Sequence, residues 1–276
     1  MVHLLQRAAC LYPENLALTP QVLLDLPLLL TAWEGERLQG CLGVSFLHPP
    51  AARIEAFLTR YRRDAGYYLG ELLPPVEAQL RGQGIEVLVY IGQAPWLIPL
   101  LKRQGFQKTN SILRLHKQGW EIPTLGNLEV CIRPARPEDI PALVSLDETA
   151  FQEVIWQRTA DVFQQLLPVH RTTDGSQMPH FVVAERRGQV VGYQLSQLRG
   201  GEGHLTRVVV HPDAQGQRIG ARLVAEAIRF FRGRGVRDIT LNTQRDNYRA
   251  QQLYRWFGFR PGGGEVTVLQ KPVPLP

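Results

Sequence analysis

A glycine-containing corner stands where an apolar run changes into a helix. The run RVVV, which ends at Val210, is followed by HPDAQGQRIGARLV, residues 211–224. The first backbone N–H groups of a helix have no intrahelical partner, and the helix dipole favours negative charge there. Because Gly216, Gly220 and Ala221 are small, an anion can approach these amides closely. We interpret the corner as a phosphate-binding site, with an ordinary glycine turn as the structural alternative.

The stretch ITLNTQRDNYRAQQLYRWFGF, residues 239–259, predicts a strand, a loop and a second helix. Asn247 is a good N-cap residue for this helix, and Gly258 is suited to its C-terminal end. Between them, residues with helical spacing form one face: Ala250, Leu253, Tyr254 and Phe257. The helix after the corner has a similar face, formed by Ile219, Leu223, Ala227 and Phe230. Both helices should therefore pack against a sheet.

These two stretches together resemble a known family. The motifs QxxRxGA (residues 215–221) and NxxAxxLYxxxGF (residues 247–259) are similar to the (Q/R)xxGxG/A corner and the Asn…Ala…Leu-Tyr…Gly-Phe helix of the GNAT superfamily of N-acetyltransferases. The resemblance runs from about Val130 to the C-terminus. It implies an α/β fold with an α+β mixed sheet, and transfer of the acetyl group of acetyl-CoA to a primary amine of a small molecule or peptide. Amine and thioester are held together, so that direct attack is effectively unimolecular.

The resemblance also implies roles for individual residues. The pantetheine arm of acetyl-CoA would pair with the strand of Val208, Val209 and Val210, which splays from the strand containing Leu241. The pyrophosphate would meet the amides of the corner: Gln215, Gly216, Gln217, Arg218, Ile219, Gly220 and Ala221. Tyr254 matches the tyrosine that protonates the departing thiolate. Asn247 matches a cofactor contact. As structural alternatives, the tyrosine is a packed core residue and the asparagine is only a helix cap.

Two departures from the family pattern concern the corner and the catalytic base. Arg218 stands where the motif has Gly, and we expect helical dihedrals there, because a positive φ would strain an arginine by roughly 1 kcal/mol. Asn242 stands where relatives that acetylate peptide N-termini often carry a carboxylate, so it is kept as a substrate-site residue and the base stays open. His204 is the candidate base, since a neutral imidazole accepts a proton near pH 7, and Glu202 is the reserve. A solvated histidine at a strand end is the structural alternative.

Three phrases occur twice in the same order along the chain. Their repeats lie 152, 151 and 153 residues apart, measured between Gly40 and Gly192, Gly84 and Gly235, and Gly105 and Gly258. A nearly constant offset indicates a duplicated unit. We therefore expect a degenerate GNAT-like domain at residues 1–122 and a catalytic GNAT domain at residues 123–276. Each copy should follow the order strand, helices, hairpin, strand, helix, strand, helix, strand.

The first copy lacks the chemical groups of the second. Counted from the closing glycine, Leu101 replaces the tyrosine and Ala94 replaces the capping asparagine. The corner becomes RRDAGYYLG, residues 62–70, without the spaced small residues. We expect Pro74 and Pro75 to interrupt the helix that follows. The first copy is therefore not expected to be an acetyltransferase site.

Composition limits the classes of partner. The 276 residues carry a formal charge of +6 and a pI of about 9.5, which favours anionic partners such as phosphorylated cofactors or nucleic acid. No RNP, helix-turn-helix or zinc signature supports nucleic-acid binding, which is kept as an alternative together with a catalytically silent acyl-CoA-binding module. Acceptor specificity should lie in FQEVIWQRTADVFQQLL (residues 151–167) and QLSQLRGGEGH (residues 194–204), which carry no readable code. The sequence does not indicate an oligomeric state.

Cysteine usage and the terminal segment bear on location. The three cysteines form no CxxC pair, and the N-terminal segment has no signal-peptide layout, so we expect a cytoplasmic protein. The histidines form no metal-binding motif. The apolar run VLLDLPLLL is too short to cross a bilayer. We therefore expect neither a metal nor a membrane partner.

Overall fold

The structure is a computed structural model that describes residues 1–13, 19–47, 50–167 and 179–273. Contacts divide the chain into two units. The first comprises Met1–Ser111 and Val266–Pro276, and the second comprises Ile112–Glu265.

The first half of the chain carries helices and strands in the order that the repeat predicts for the first copy, preceded by one short helix. The helices are α1 (Val2–Arg7), α2 (Pro20–Leu24), α3 (Ala65–Gly82) and α4 (Leu97–Arg103). The strands are β1 (Cys10–Tyr12), β2 (Leu28–Glu34), β3 (Arg37–Phe46), β4 (Ala51–Thr59), β5 (Val87–Gly92) and β6 (Gln107–Gln118).

The second half carries the matching series. Its helices are α5 (Ile140–Ala150), α6 (Ala160–Leu166), α7 (Ile219–Arg232) and α8 (Tyr248–Trp256). Its strands are β7 (Cys131–Pro134), β8 (His180–Arg186), β9 (Gln189–Arg199), β10 (Glu202–Val210), β11 (Asp238–Gln244) and β12 (Arg260–Pro272). The order of elements expected from the repeat is confirmed.

The repeated glycines occupy equivalent places in the two copies. Gly84 and Gly235 follow α3 and α7 with φ values of +71° and +70°. Gly105 and Gly258 follow α4 and α8 with φ values of +91° and +82°. A left-handed residue lets the chain leave a helix while its last carbonyls are satisfied, and glycine adopts that conformation without a Cβ penalty.

The second unit is organised around a mixed sheet. Its strands lie in the order β6, β11, β10, β9, β8, β7, where β10 and β11 are parallel and the other pairs are antiparallel. One face is covered by α7 and α8, with a core that includes Val224, Phe231 and Leu241. The other face is covered by α5 and α6, with a core that includes Leu143 and Phe163. The mixed α/β sheet expected from the sequence is confirmed.

Each unit takes its last strand from the other half of the chain. Residues 112–118 of β6 pair with β11 in the second unit. Residues 267–272 of β12 pair with β5 in the first unit, whose strands otherwise follow the order β2, β3, β4, β5, with β1 also on β4. The two units are therefore not the continuous halves 1–122 and 123–276.

The two prolines of α3 do not interrupt it, contrary to the sequence expectation. The helix runs without a break from Ala65 to Gly82, with Pro74 and Pro75 inside it. Each proline removes one backbone hydrogen bond, at a cost of roughly 3 kcal/mol in a helix interior. The apolar face of α3 spans both sides of the prolines and is buried: Leu69, Leu72, Leu73, Val76 and Leu80. Burial of that face offsets the lost hydrogen bonds.

Within the described ranges, none of the helices has the length and apolar character needed to cross a membrane. The same residues contain no group of three His, Cys, Asp or Glu side chains that could hold a metal ion.

Candidate active site

The corner is built by a tight reversal at the end of β10. A short 3₁₀ helix, Pro212–Ala214, follows the strand, and Gln215 donates its backbone N–H to Pro212 O at 3.1 Å. The Gln215 side chain reaches back to Val210 O at 3.2 Å. Gly216 then adopts a φ of +79°, and apart from its chain neighbours no heavy atom of the described residues lies within 4 Å of the position that its Cβ would take. The reversal therefore leaves open space in front of α7.

Arg218 does not have the helical dihedrals that we expected, and that prediction is wrong. Its φ is +58° and its ψ is +19°, which is the left-handed region. The backbone turns there because Arg218 O accepts two N–H groups, from Arg222 at 3.1 Å and from Asn127 at 3.2 Å. This conformation costs a non-glycine residue roughly 1 kcal/mol. The contact with Asn127 comes from a distant segment, so the corner motif alone could not indicate it.

The turn at Arg218 also exposes the start of α7. Arg222 donates the first intrahelical hydrogen bond, to Arg218 O, so the N–H groups of Ile219, Gly220 and Ala221 have no acceptor within the helix. A Cβ on Gly220 would lie 3.2 Å from Leu253 Cδ2, which is a tight contact. These are the properties of an anion-binding helix terminus that a larger residue at position 220 would crowd.

The second helix of the site, α8, begins as the sequence predicts. Asn247 is its N-cap, and Asn247 Oδ1 accepts the backbone N–H of Ala250 at 3.0 Å. Tyr254 lies two turns after the cap and is 7% exposed. Burial raises the pKa of Tyr254 to about 12, so the phenol keeps its proton at neutral pH.

A cleft opens between β10, the corner and α8. The parallel pairing of β10 with β11 covers Gly203 to Leu205 and ends there. Beyond that point the strands separate, and Val208 and Val210 line the gap. The cleft has a volume of about 310 Å³, and its lining also includes Gln215, Gly216, Arg218, Ile219, Gly220, Ala221, Asn247, Leu253 and Tyr254. Residues from two separate motifs thus meet in one place.

Two of the predicted cofactor residues do not line the cleft with their side chains. Val209 alternates to the opposite face of β10 and packs in the core beneath α5 and α6. Gln217 turns outward, where its carbonyl oxygen accepts a hydrogen bond from Asn127 Nδ2 at 3.0 Å. Beyond Leu205, where β10 is no longer paired with β11, the backbone of β10 still borders the gap.

The three candidates for base and substrate contacts lie away from the cleft lining. His204 is on the paired part of β10, with Nδ1 3.0 Å from Thr240 Oγ1. Glu202 is exposed at the start of β10. Asn242 is exposed on β11, opposite Arg114 of β6. The structure therefore does not bring these three side chains together with Tyr254.

Five lining residues were not assigned to the site from the sequence: Ala214, Ala250, Leu253, Arg249 and Trp256, of which the last two bring a charge and a large aromatic ring. Arg249, in the first turn of α8, hydrogen-bonds through Nη1 to Gln215 Oε1 and so joins the helix to the corner. Trp256 lies near the end of α8 and is 51% exposed. The sequence signal that could have identified Arg249 and Trp256 is their spacing from the Asn247 cap. Residues two and nine positions after the cap do not lie on the buried face of the helix.

The geometry has a counterpart among known proteins. A model of the acetyltransferase (GNAT) family matches residues 141–259, which contain the corner, the splayed strands and α8. Residues 141–259 form a GNAT-family acetyltransferase domain. The family assigned from the two motifs is thereby confirmed.

Relatives of the GNAT domain extend the comparison to sequence and fold. A mycothiol acetyltransferase of Amycolatopsis mediterranei is 29% identical over 234 residues, which cover 79% of this chain and 74% of that protein. A peptidyl-lysine N-acetyltransferase of Salmonella typhimurium is 29% identical over 130 residues, covering 44% of this chain and 83% of that protein. A tandem GNAT protein from the clavulanic acid biosynthesis pathway superposes with a TM-score of 0.61 at 16% identity, covering 90% of this chain and 85% of that one. The tandem GNAT fold expected from the repeat is confirmed.

The residues of the GNAT domain fit a phosphorylated acyl carrier. The unpaired amides at the start of α7 are anion donors, and Arg218 and Arg249 add positive charge at the same end of the cleft. The cleft is also lined by the apolar side chains of Val208 and Leu253 and by Tyr254. A ligand with a phosphate group at one end and an apolar arm therefore suits the cleft.

Proposed function

We propose that the second unit transfers the acetyl group of acetyl-CoA to the primary amine of a small molecule or peptide, by direct attack in a ternary complex. The observation that carries the proposal is the meeting of the corner amides, the splayed strand β10 and Tyr254 in one cleft. The names of the relatives, a mycothiol acetyltransferase and a peptidyl-lysine N-acetyltransferase, agree with acetyl transfer.

The corner and β10 hold the cosubstrate in this proposal. Acetyl-CoA supplies the acetyl thioester when it is bound. The N–H groups of Ile219, Gly220 and Ala221 bind its phosphates, with added charge from Arg218 and Arg249. Backbone groups of β10 beside Val208 and Val210 hold the extended arm in the manner of an added strand. Holding both reactants in register is the main contribution to rate.

Tyr254 is the proposed acid. Its Oη atom keeps a proton at neutral pH, because burial disfavours the phenolate. The hydroxyl is thus available to protonate the sulfur of the departing thiolate, which leaves as the thiol.

His204 remains the proposed base, with Glu202 in reserve and Asn242 as a substrate contact. In this proposal His204 Nδ1 donates to Thr240 Oγ1 across their 3.0 Å contact, and the threonine hydroxyl in turn donates to Gly203 O at 3.2 Å. That tautomer gives Nε2 the lone pair, which is what a general base requires.

The first unit has no acetyltransferase site in this proposal. Leu101 is a buried core residue of α4, and the N-cap of α4, Trp96, makes no side-chain capping bond. Helix α3 begins at Ala65 directly after a 3₁₀ turn, Arg62–Asp64, without the glycine reversal of the other copy. The cytoplasmic location expected from the cysteines stays a prediction.

A screen of the purified chain tests the reaction. Acetyl-CoA is offered with amines, peptides and aminoglycosides, and free thiol release is followed. Release that depends on an amine, with an acetylated product, supports acetyl transfer. Acetyl-CoA binding without turnover of any amine would favour a silent acyl-CoA-binding module. Salt-sensitive polynucleotide binding without acetyl-CoA affinity would favour a nucleic-acid-binding protein.

A further inference from the structure

A buried ion pair joins α5 to β10 in the second unit. Asp147 is fully buried, and its Oδ2 accepts from Arg207 Nη2 at 2.6 Å. Its Oδ1 accepts from Arg207 Nε at 3.1 Å and from the Tyr193 hydroxyl. Burial raises the pKa of Tyr193, so this phenol is neutral. The one carboxylate of the cluster thus accepts hydrogen bonds from Arg207 and from the Tyr193 hydroxyl.

Arg158 is a second guanidinium beside this pair. Its Nη1 atom is buried and has no hydrogen-bond acceptor among the residues that the structure describes. Arg158 also takes part in none of the ion pairs found within those residues. Burial and the nearby charge of Arg207 lower the pKa of Arg158. Arginine stays protonated in proteins, so Arg158 and Arg207 carry two positive charges against the one negative charge of Asp147.

A second donor in the same segment lacks a partner. Trp156 lies two residues before Arg158, and its carbonyl oxygen accepts a hydrogen bond from Arg207 Nη2. Its indole Nε1 is buried without an acceptor in the described part of the chain. Buried donors without acceptors are rare in native proteins, and a buried charge is ordinarily paired. Both groups are donors that an anion could accept from.

The cluster borders the strand at which the reaction is proposed. Arg207 directly precedes Val208, and neighbouring side chains of a strand point to opposite faces. Val208 lines the cleft, whereas Arg207 points to the side of α5, where its guanidinium lies 3.9 Å from the centre of the Phe151 ring. This is the face of the splayed strand opposite to α7 and α8. The cluster therefore lies one residue along β10 from Val208, on the face of the strand opposite to the one that lines the cleft.

We propose that the acceptor is an amine that also bears a carboxylate, and that Arg158 pairs with this carboxylate. The inference rests on the proposed acetyl transfer. The planar guanidinium matches a carboxylate with two parallel hydrogen bonds, and the Trp156 indole supplies a further donor. The substrate class is thus an amino acid or a short peptide with a free carboxylate near its amine. Polyamines and aminoglycosides are poor acceptors, since the unneutralised positive charge repels their additional cations.

Matched pairs of acceptors test the substrate class. Glycine, β-alanine, 4-aminobutanoate and diglycine are each compared with their carboxamide, using acetyl-CoA and thiol release. If the carboxylate forms a charged hydrogen-bonded pair, kcat/KM for the best acid should be roughly 10- to 100-fold higher than kcat/KM for its amide. In Arg158→Gln the ratio should fall to about 1 by the same reasoning, and Arg158→Lys should keep part of it. Turnover of the amides and of unrelated amines at rates equal to the acids would overturn the inference while leaving acetyl transfer intact.

A binding measurement separates this inference from the reaction itself. N-acetyl-β-alanine and its amide are titrated into the full chain in the presence of CoA. Binding of the acid, weaker binding of the amide and loss of the difference in Arg158→Gln would support the anion site even if no amine were acetylated. No binding of the acid to the wild-type protein, or equal binding to wild type and variant, would contradict it.

A stability measurement excludes a merely structural role for Arg158. Arg158 is partly buried and has no ion-pair partner among the described residues, so its charge contributes little to stability and Arg158→Gln should melt at the wild-type temperature or above it. Arg207→Gln is the control, because it leaves Asp147 buried without its partner and should lower the melting temperature. If the melting temperature of Arg158→Gln fell as much as that of Arg207→Gln, Arg158 would stabilise the fold and the proposal would be wrong.

Discussion

Tyr254 is a buried residue that lines the cleft. Tyr254→Phe removes only the hydroxyl, and the ring continues to pack near Phe259. The hydroxyl is proposed to act when negative charge develops on sulfur, so its loss should lower kcat and leave acetyl-CoA affinity nearly unchanged. General acid assistance typically contributes about 10²–10⁴-fold, and we expect a loss of that order in steady-state kinetics if thiol departure limits the rate.

The pH profile and a matched variant check this assignment. Because burial raises the pKa of Tyr254 from 10 to about 12, its ionisation should produce no fall in activity between pH 6 and 9. The stability that comes from keeping the phenol neutral is present below pH 10 and is lost as the pH rises through 12. Leu101→Tyr places a tyrosine at the equivalent position of the first copy and should confer no activity. Wild-type turnover of Tyr254→Phe across pH 6 to 9 would leave the tyrosine with a structural role only.

Gly220 lies against the proposed phosphate site. Gly220→Asp adds a Cβ that would lie 3.2 Å from Leu253 Cδ2, together with a negative charge beside the free amides of α7. We expect CoA affinity to fall at least tenfold in calorimetry, an estimate of about 1.4 kcal/mol for the lost anion contacts. Gly220→Ala is the control, since it adds the Cβ without the charge. If Gly220→Asp bound CoA with wild-type affinity, the phosphates would have to lie elsewhere.

At the scale of elements, α8 depends on its first residue. Asn247→Ala removes the bond from Ala250 N to Asn247 Oδ1 and should lower the free energy of unfolding by about 1 kcal/mol in chemical denaturation. Asn247→Asp keeps an equivalent cap and should preserve stability. The same pair of variants reports on cofactor contact. If Asn247 also meets the phosphates, the aspartate variant should weaken CoA binding despite its normal stability, and unchanged binding would mean that the residue is a cap alone.

The gap between β10 and β11 is a property of two elements together. Their parallel pairing stops at Leu205 and Leu241, and β10 also shifts register against β9 between Leu205 and Arg207. A bulge of this kind redirects the strand and re-aims its side chains. The same irregularity thus opens the cleft on one face and turns Arg207 toward Asp147 on the other.

At the scale of the whole molecule, two related folds should bind one cosubstrate. The second unit has a glycine reversal, free amides and Tyr254, whereas the first has a helix that starts directly after its turn and Leu101 in the core. Calorimetry should therefore give one acetyl-CoA per chain. Arg62→Ala, in the first copy, is the control and should leave the titration unchanged. Two equivalent sites per chain would contradict the asymmetry between the copies.

Features that depend on local chemistry could be predicted from the amino-acid sequence. The cap at Asn247, the glycines that end α7 and α8, the buried faces of both helices and the order of elements in the repeat could all be predicted. Each of them follows from residue type and spacing within one or two turns of chain, where helix capping and periodicity operate. The family resemblance also rests on such short motifs.

Features that depend on contacts between distant parts of the chain could not be predicted from the sequence and became visible only in the folded structure. Arg218 is left-handed because Asn127, 91 positions earlier in the sequence, donates to its carbonyl oxygen. Pro74 and Pro75 stay within α3 because that helix has a sheet to pack against. Strand β6, from the first half of the chain, pairs with β11 in the second unit, and β12, from the second half, pairs with β5 in the first. Strand pairing depends on which strand edges meet in register in the folded protein, and not on their position along the chain. The sequence likewise does not show that Arg158 Nη1 lacks a partner among the described residues. The hydration and the neighbours of a charged group are set only when the chain folds.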